Sequence, residues 1–182
     1  MNEQRLIDFV KDVAKSLDRE KILYAISGAI ANMVWGVPRA THDVDILVST
    51  SALKLPKLIE IFLASGCQGN VKDAINQARK DYLIRLRYGK SWIEIFLPAI
   101  SYHHNVLKRR VAVDIEGIPV WFITAEDLVI LKLLFHRTRD MADIKAILAT
   151  RKGKIDLAYI KSTMKKILPD GDGRFNELDK IL

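Results

Sequence analysis

The sequence predicts an α+β fold, a mixed sheet with flanking helices followed by a helical C-terminal part. Three observations carry this. Short apolar or alternating runs, the signature of strands, are interspersed with helical periodicity up to about residue 123. From Thr124 onward only helical patterning remains. The 182 residues are nearly half hydrophobic, which suits one domain or one domain with a small appendage. The expected division is a core over 1–123 and a helical subdomain over 124–182 packed on it.

Taken in order, Leu6, Phe9, Val10, Val13 and Leu17 recur at helical spacing, so 3–19 reads as an amphipathic helix. The run from Ile22 to Ile26 reads as a buried strand. Ser27-Gly28 breaks it, and Ala29 to Trp35 is helical, with Gly36 and Pro38 as stop signals. Asp43 to Val48 is a second strand, and Ser51 to Ala64 a helix ended by Ser65-Gly66. Residues 81–88 alternate, with Tyr82, Ile84, Leu86 and Tyr88 on one face and Arg85 and Arg87 on the other. Gly89-Lys90 turns into a strand from Trp92 to Leu97, closed by Pro98. Val111–Ile115 and Ile118–Ile123 flank Glu116-Gly117, a hairpin. Thr124, with Asp127 three residues on, is close to a capping box. Helices follow over 125–137, 141–150 and 156–167, with one more from Asp172.

Composition narrows the class. Charged residues at 28% match a globular chain, so disorder is excluded. No segment approaches the ~20 apolar residues of a membrane helix, and the charged N-terminus lacks an apolar signal core. The single cysteine, Cys67, has no intrachain partner, which suits a reducing, cytoplasmic setting. The net charge of +7 suits polyanions such as nucleic acid or nucleotide phosphates, and equally suits plain solubility.

The chemistry concentrates in acidic residues. Residues two apart on a strand share a face, so Asp43 and Asp45 project together, roughly 7 Å apart. Paired carboxylates repel unless a cation lies between them, and hard oxygen donors suit Mg²⁺ (or Mn²⁺), which fills its remaining sites with water and phosphate oxygens. Glu94 is the sole charge in the apolar run 92–97. If its strand lies beside the first, three carboxylates converge and can bridge two metals. Otherwise Glu94 is an ordinary cross-strand partner of Arg85 or Arg87. Upstream, Ser27-Gly28 leaves a strand and opens a helix, whose amide hydrogens and positive dipole end suit an anion. The adjacent His103 and His104 have no third ligand at metal spacing and read as loop and surface residues.

A small-residue turn, a helix, Asp-x-Asp on a strand and a later acid resemble the nucleotidyltransferase superfamily, the polymerase-beta-like fold. Ser27-Gly28-Ala29-Ile30-Ala31 with Arg39-x-Thr41-x-Asp43-Val44-Asp45 is similar to its AbiEii-like branch, which typically reads Gly-Gly-x-Ala and Arg-x-Thr-x-Asp-Ile-Asp. Thr124 to Lys132, then Arg139-Asp140-x-x-Asp143-Ile144, resembles that branch's helical Lys and Arg-Asp motifs. The resemblance implies Mg²⁺-dependent transfer of a nucleoside monophosphate from an NTP (ATP or GTP) to a hydroxyl on RNA, protein or a small molecule. Asp43, Asp45 and Glu94 would then bind metal, with Glu94 as base. Ser27 and Gly28 would hold phosphates, Lys132 would contact the nucleotide, and Arg39, Arg139 and Asp143 would shape the pocket. Two departures stand out: Ser27 replaces the usual first Gly, and Glu94 stands where Asp is frequent. The alternative is a catalytically silent nucleotide-binding module acting as a toxin–antitoxin or regulatory partner. Residues read apart from the resemblance leave Lys132 as a snorkelling side chain and Asp140 and Asp143 as helix-start acids.

Overall fold

The computed structural model of the chain describes residues 3–181. Its elements run α1 (Glu3–Arg19), β1 (Leu23–Ile26), α2 (Gly28–Trp35), β2 (Val44–Ser49), α3 (Leu55–Ala64), α4 (Val71–Asp81), β3 (Leu83–Tyr88), β4 (Ser91–Phe96), α5 (Ser101–Arg109), β5 (Val111–Ile115), β6 (Ile118–Phe122), α6 (Ala125–Phe135), α7 (Thr138–Thr150), α8 (Leu157–Ile167) and α9 (Gly173–Ile181). They form the mixed sheet with flanking helices that the sequence predicts. Contacts divide the chain into two units: residues up to Ile30 with Ala40–Ile123, and Ala31–Arg39 with the residues from Thr124 onward.

The first unit holds a six-stranded sheet in the order β3-β4-β2-β1-β6-β5. β2 runs antiparallel to β1 and parallel to β4, while β6 runs parallel to β1. One face is largely apolar. Tyr24, Ile26, Val44, Ile46, Ile84, Leu86, Ile93, Ile95 and Phe122 are all buried. Helix α1 lays its Phe9 on this face, with ring centroids 4.4 Å from Tyr88 and 6.4 Å from Phe62 of α3. The β5–β6 hairpin turns at Glu116 (φ 52°) and Gly117 (φ 84°), the left-handed pair a two-residue turn needs. The Gly117 amide donates to Asp114 Oδ1 at 3.0 Å.

Several boundaries differ from the sequence reading, for physical reasons. Helix α3 starts at Leu55, not Ser51, and carries Pro56 in its first turn. A start at Ser51 would put Pro56 inside the helix, where its ring meets a carbonyl of the preceding turn. Helix α4 was not predicted, because its only buried side chains are Ala74 and Ala78. Its N-cap was legible: Asn70 accepts from the amides of Lys72 and Asp73 at 2.9 and 3.2 Å. Tyr82 is not a strand residue but the left-handed C-cap of α4, at φ 53°. His103 and His104 lie on helix α5, not a loop, and His103 Nδ1 accepts the Ala99 amide at 3.1 Å.

The second unit is helical. Helix α6 is buried nearly all round, through Leu128, Val129, Ile130, Lys132 and Leu133, and α7, α8 and α9 contact it. Thr124 caps α6 by accepting the Asp127 amide at 3.2 Å. The Asp127 carboxylate is buried and satisfied, accepting from the Thr124 hydroxyl at 2.9 Å and the Tyr159 hydroxyl at 2.8 Å.

Candidate functional site

On the sheet face opposite the apolar one, strand register sets a row of charges. Asp45 on β2 is the direct partner of Glu94 on β4, and Glu94 is the direct partner of Arg85 on β3. The adjacency of the carboxylate strands, which no reading of one sequence supplies, is therefore present. Asp43 falls one residue before β2, exposed, opposite Trp92, whose amide donates to Asp43 Oδ1 at 3.2 Å. The Thr41 hydroxyl braces the same approach, accepting the Asp43 amide at 3.3 Å.

The turn before α2 is fitted to Asp45. The Ser27 amide donates to the Asp45 carbonyl at 2.8 Å, continuing the β1–β2 ladder by one rung. Gly28 has φ +59°, and a Cβ built there would lie 1.7 Å from Asp45 Oδ2 and 2.9 Å from Asp45 Cβ. Glycine is thus required twice, for its backbone angle and for the carboxylate against it. The left-handed conformation falls on Gly28 and not on Ser27, so serine in place of the usual first glycine costs the turn nothing.

Glu94 lies beside Asp45 in the register, and its carboxylate forms the cross-strand pair with Arg85: Oε1 accepts from Arg85 Nε at 2.7 Å, the Arg85 side chain being 56% exposed and that of Glu94 25%. Carboxylate oxygens are the hard donors a divalent cation takes, and the Asp45 carboxylate is packed against Gly28, where any side chain would displace it. Glu94 does not complete a cluster of three, because its carboxylate is turned to Arg85. Among the described residues, no three His, Cys, Asp or Glu side chains are grouped to hold a metal.

The remaining sequence candidates lie in the second unit, where four of five charges form a network, three of them buried and Arg39 partly exposed. Lys132 is 5% exposed and its Nζ meets Asp143 Oδ2 at 2.6 Å and Asp140 Oδ1 at 3.4 Å. Arg39 forks onto Asp143 through Nε and Nη2, both at 3.0 Å. Asp140 Oδ2 also accepts the Arg137 amide at 3.1 Å, so its reading as a helix-start acid holds alongside its pairing with Lys132. Lys132 does not snorkel: its ammonium ends among acids, not in solvent. Burial raises the Asp143 pKa, but hydrogen bonds from Arg39 and Lys132 outweigh it and hold the carboxyl below its usual value. Arg139 is exposed on α7. Sequence reading missed Asn32, whose amide nitrogen reaches the Val37 carbonyl at 3.0 Å and Asp143 Oδ1 at 3.5 Å. Its signal was available, as the lone polar side chain of an apolar helix.

A mixed sheet that presents Asp-x-Asp beside a glycine turn, with an acid one strand over, defines a protein of the nucleotidyltransferase class. The chain belongs to the family described as "Nucleotidyltransferase of unknown function (DUF6036)", whose profile matches residues 4–168. Among curated proteins, none matches the sequence. Solved structures share the fold at low identity. The antibiotic-resistance factor ANT(2'')-Ia superposes with a TM-score of 0.61 at 10% identity, over 98% of this chain and 97% of that one. An antigenic nucleotidyltransferase-like protein from Paracoccidioides brasiliensis gives 0.56 at 18% identity, over 97% and 94%. The lincosamide antibiotic adenylyltransferase LnuA, bound to lincomycin, gives 0.54 at 15% identity, over 82% and 98%. Among the described residues no helix is long and apolar enough to cross a membrane.

Proposed function

We propose that the protein is a divalent-metal-dependent nucleotidyltransferase of the AbiEii-like branch, working in the cytoplasm. It would move a nucleoside monophosphate from ATP or GTP to a hydroxyl acceptor. The observation that carries the reading is the fit between Gly28 and the Asp45 carboxylate: at φ +59°, with a Cβ that would lie 1.7 Å from Asp45 Oδ2, only glycine leaves that carboxylate in place.

Asp43 and Asp45 would hold Mg²⁺ or Mn²⁺. Such an ion, when bound, neutralises phosphate oxygens and acidifies an attacking hydroxyl. The Ser27 hydroxyl and the first amides of α2 would bind the terminal phosphates. Glu94, next in the row, would take the proton of the acceptor hydroxyl as that oxygen attacks the α-phosphorus and pyrophosphate leaves. Lys132, Arg39 and Asp143 would fix the shape of the nucleotide-binding helices through their shared network, and Arg139 would supply an exposed cation. The acceptor is RNA, a protein side chain or a small molecule; ANT(2'')-Ia has been solved in complex with adenylyl-2''-tobramycin, which makes antibiotics a natural first panel.

One observation favours a second reading. The Glu94 carboxylate is engaged by Arg85, which suits a silent nucleotide-binding module acting as a toxin–antitoxin or regulatory partner. Incubation with α-labelled ATP or GTP, Mg²⁺ and a panel of RNA, proteins and antibiotics separates the two. Label transferred to an acceptor, and lost in a folded Asp45→Asn variant, supports the enzyme. Undiminished transfer by Asp45→Asn overturns the site, and tight nucleotide binding without any product favours the silent module.

A further inference from the structure

We propose that Arg85 is a positioning residue that restrains Glu94, as a counter-ion whose release admits Glu94 to a cation held at Asp43 and Asp45. The inference rests on the metal-binding reading given above. Arg85, Glu94 and Asp45 occupy one row across β3, β4 and β2, and neighbouring strands lie about 4.8 Å apart. Two like charges side by side in such a row repel. Either a cation between them or a cation on the far side relieves this, and Arg85 sits on the far side. Its guanidinium meets Glu94 Oε1 through Nε at 2.7 Å, and its strand is tied to α4 by the Arg85 amide donating to Gln77 Oε1 at 3.0 Å.

The grip is built to yield. The contact is through Nε, not a two-pronged fork, and the arginine side chain is 56% exposed. An exposed pair of this kind biases an equilibrium by about fivefold at most. Glu94 therefore gives up little in turning from Arg85 towards Asp45 when a divalent cation offers more. Arg87 supplies an internal comparison. It lies two residues on, on the same face, and stacks its guanidinium 3.7 Å from the Trp92 ring centroid without touching Glu94.

The test is calorimetric titration of Mn²⁺, without nucleotide, into wild type, Arg85→Gln, Arg87→Gln and the double variant Arg85→Gln/Glu94→Gln. Removing either arginine changes the charge near the site by the same amount, and only Arg85→Gln frees Glu94. The expected result is binding about three- to fivefold tighter in Arg85→Gln than in Arg87→Gln, with the gain lost in the double variant. Equal affinities in the two single variants, or a gain that survives loss of Glu94, would overturn the restraint. Absence of Mn²⁺ binding in every folded variant, wild type included, would instead overturn the metal-binding reading and the restraint with it.

Discussion

Replacing Gly28 by alanine tests the one position where backbone angle and site geometry coincide. At φ +59° a Cβ meets the local backbone, a cost of about 1–2 kcal/mol for a left-handed residue. That part is shared with Gly117→Ala in the β5–β6 hairpin, where φ is +84° and a Cβ would meet nothing within 4 Å. At Gly28 the new carbon would also lie 1.7 Å from Asp45 Oδ2 and 2.9 Å from Asp45 Cβ. Rotating the carboxylate away relieves the first contact but not the second, so β2 or the turn must shift as well. Strain of this kind adds about 1–3 kcal/mol. Gly28→Ala is thus expected to cost about 2–5 kcal/mol in total and Gly117→Ala about 1–2 kcal/mol. Urea denaturation of both measures the difference. Gly28→Ala should also weaken Mn²⁺ binding, because its carboxylate ligand is displaced, while Gly117→Ala leaves it unchanged. Equal costs for the two variants, or full metal affinity in Gly28→Ala, would refute the idea that this glycine exists to accommodate Asp45.

Two further outcomes follow from the buried network. Lys132→Met strips the ammonium from Asp140 and Asp143, which are 6% and 5% exposed, and leaves Asp143 to Arg39 alone; this costs about 3 kcal/mol, the low end for a buried pair broken from one side, measured as a fall in unfolding free energy, and Asp143→Asn in the same chain should return part of it. Asp143 also ties stability to pH. Its folded pKa lies below the ordinary value, so the unfolded chain binds the proton first. The resulting stability is fully present above the unfolded pKa, near 3.9, and is lost as pH falls through the folded value. Denaturation midpoints from pH 6 to pH 2 should therefore fall more steeply in wild type than in Asp143→Asn, the comparison removing the parallel contribution of Asp172, whose carboxyl Arg174 holds down at about 2.

Much of this arrangement was legible from residue order. Phe9, Val13 and Leu17 announced α1 because a buried helix face repeats every three to four residues. Glu116-Gly117 announced the hairpin because left-handed residues are needed there. Asp43 and Asp45 were visible as a pair because strand periodicity alone puts them on one face. The neighbour of Glu94 was not, since strand order comes from packing and carries no local signal. The choice between Asp45 and Arg85 as its partner had the same gap, and the register shows both in one row. Helix α4 escaped because alanines cover its buried side and leave a weak apolar stripe. The surroundings of Lys132 were not legible for a related reason: whether a lysine in an apolar helix reaches water or a buried acid depends on what α7 and Arg39 bring to it.

If the proposed chemistry holds, Asp43 and Asp45 bind nucleotide through a metal. The most direct measurement is calorimetric titration of ATP and GTP, with and without Mg²⁺, into wild type and into Asp43→Asn/Asp45→Asn. Binding that requires Mg²⁺ in the wild type and vanishes in the folded double variant is the predicted result. Nucleotide binding that ignores both the metal and the two aspartates would contradict it.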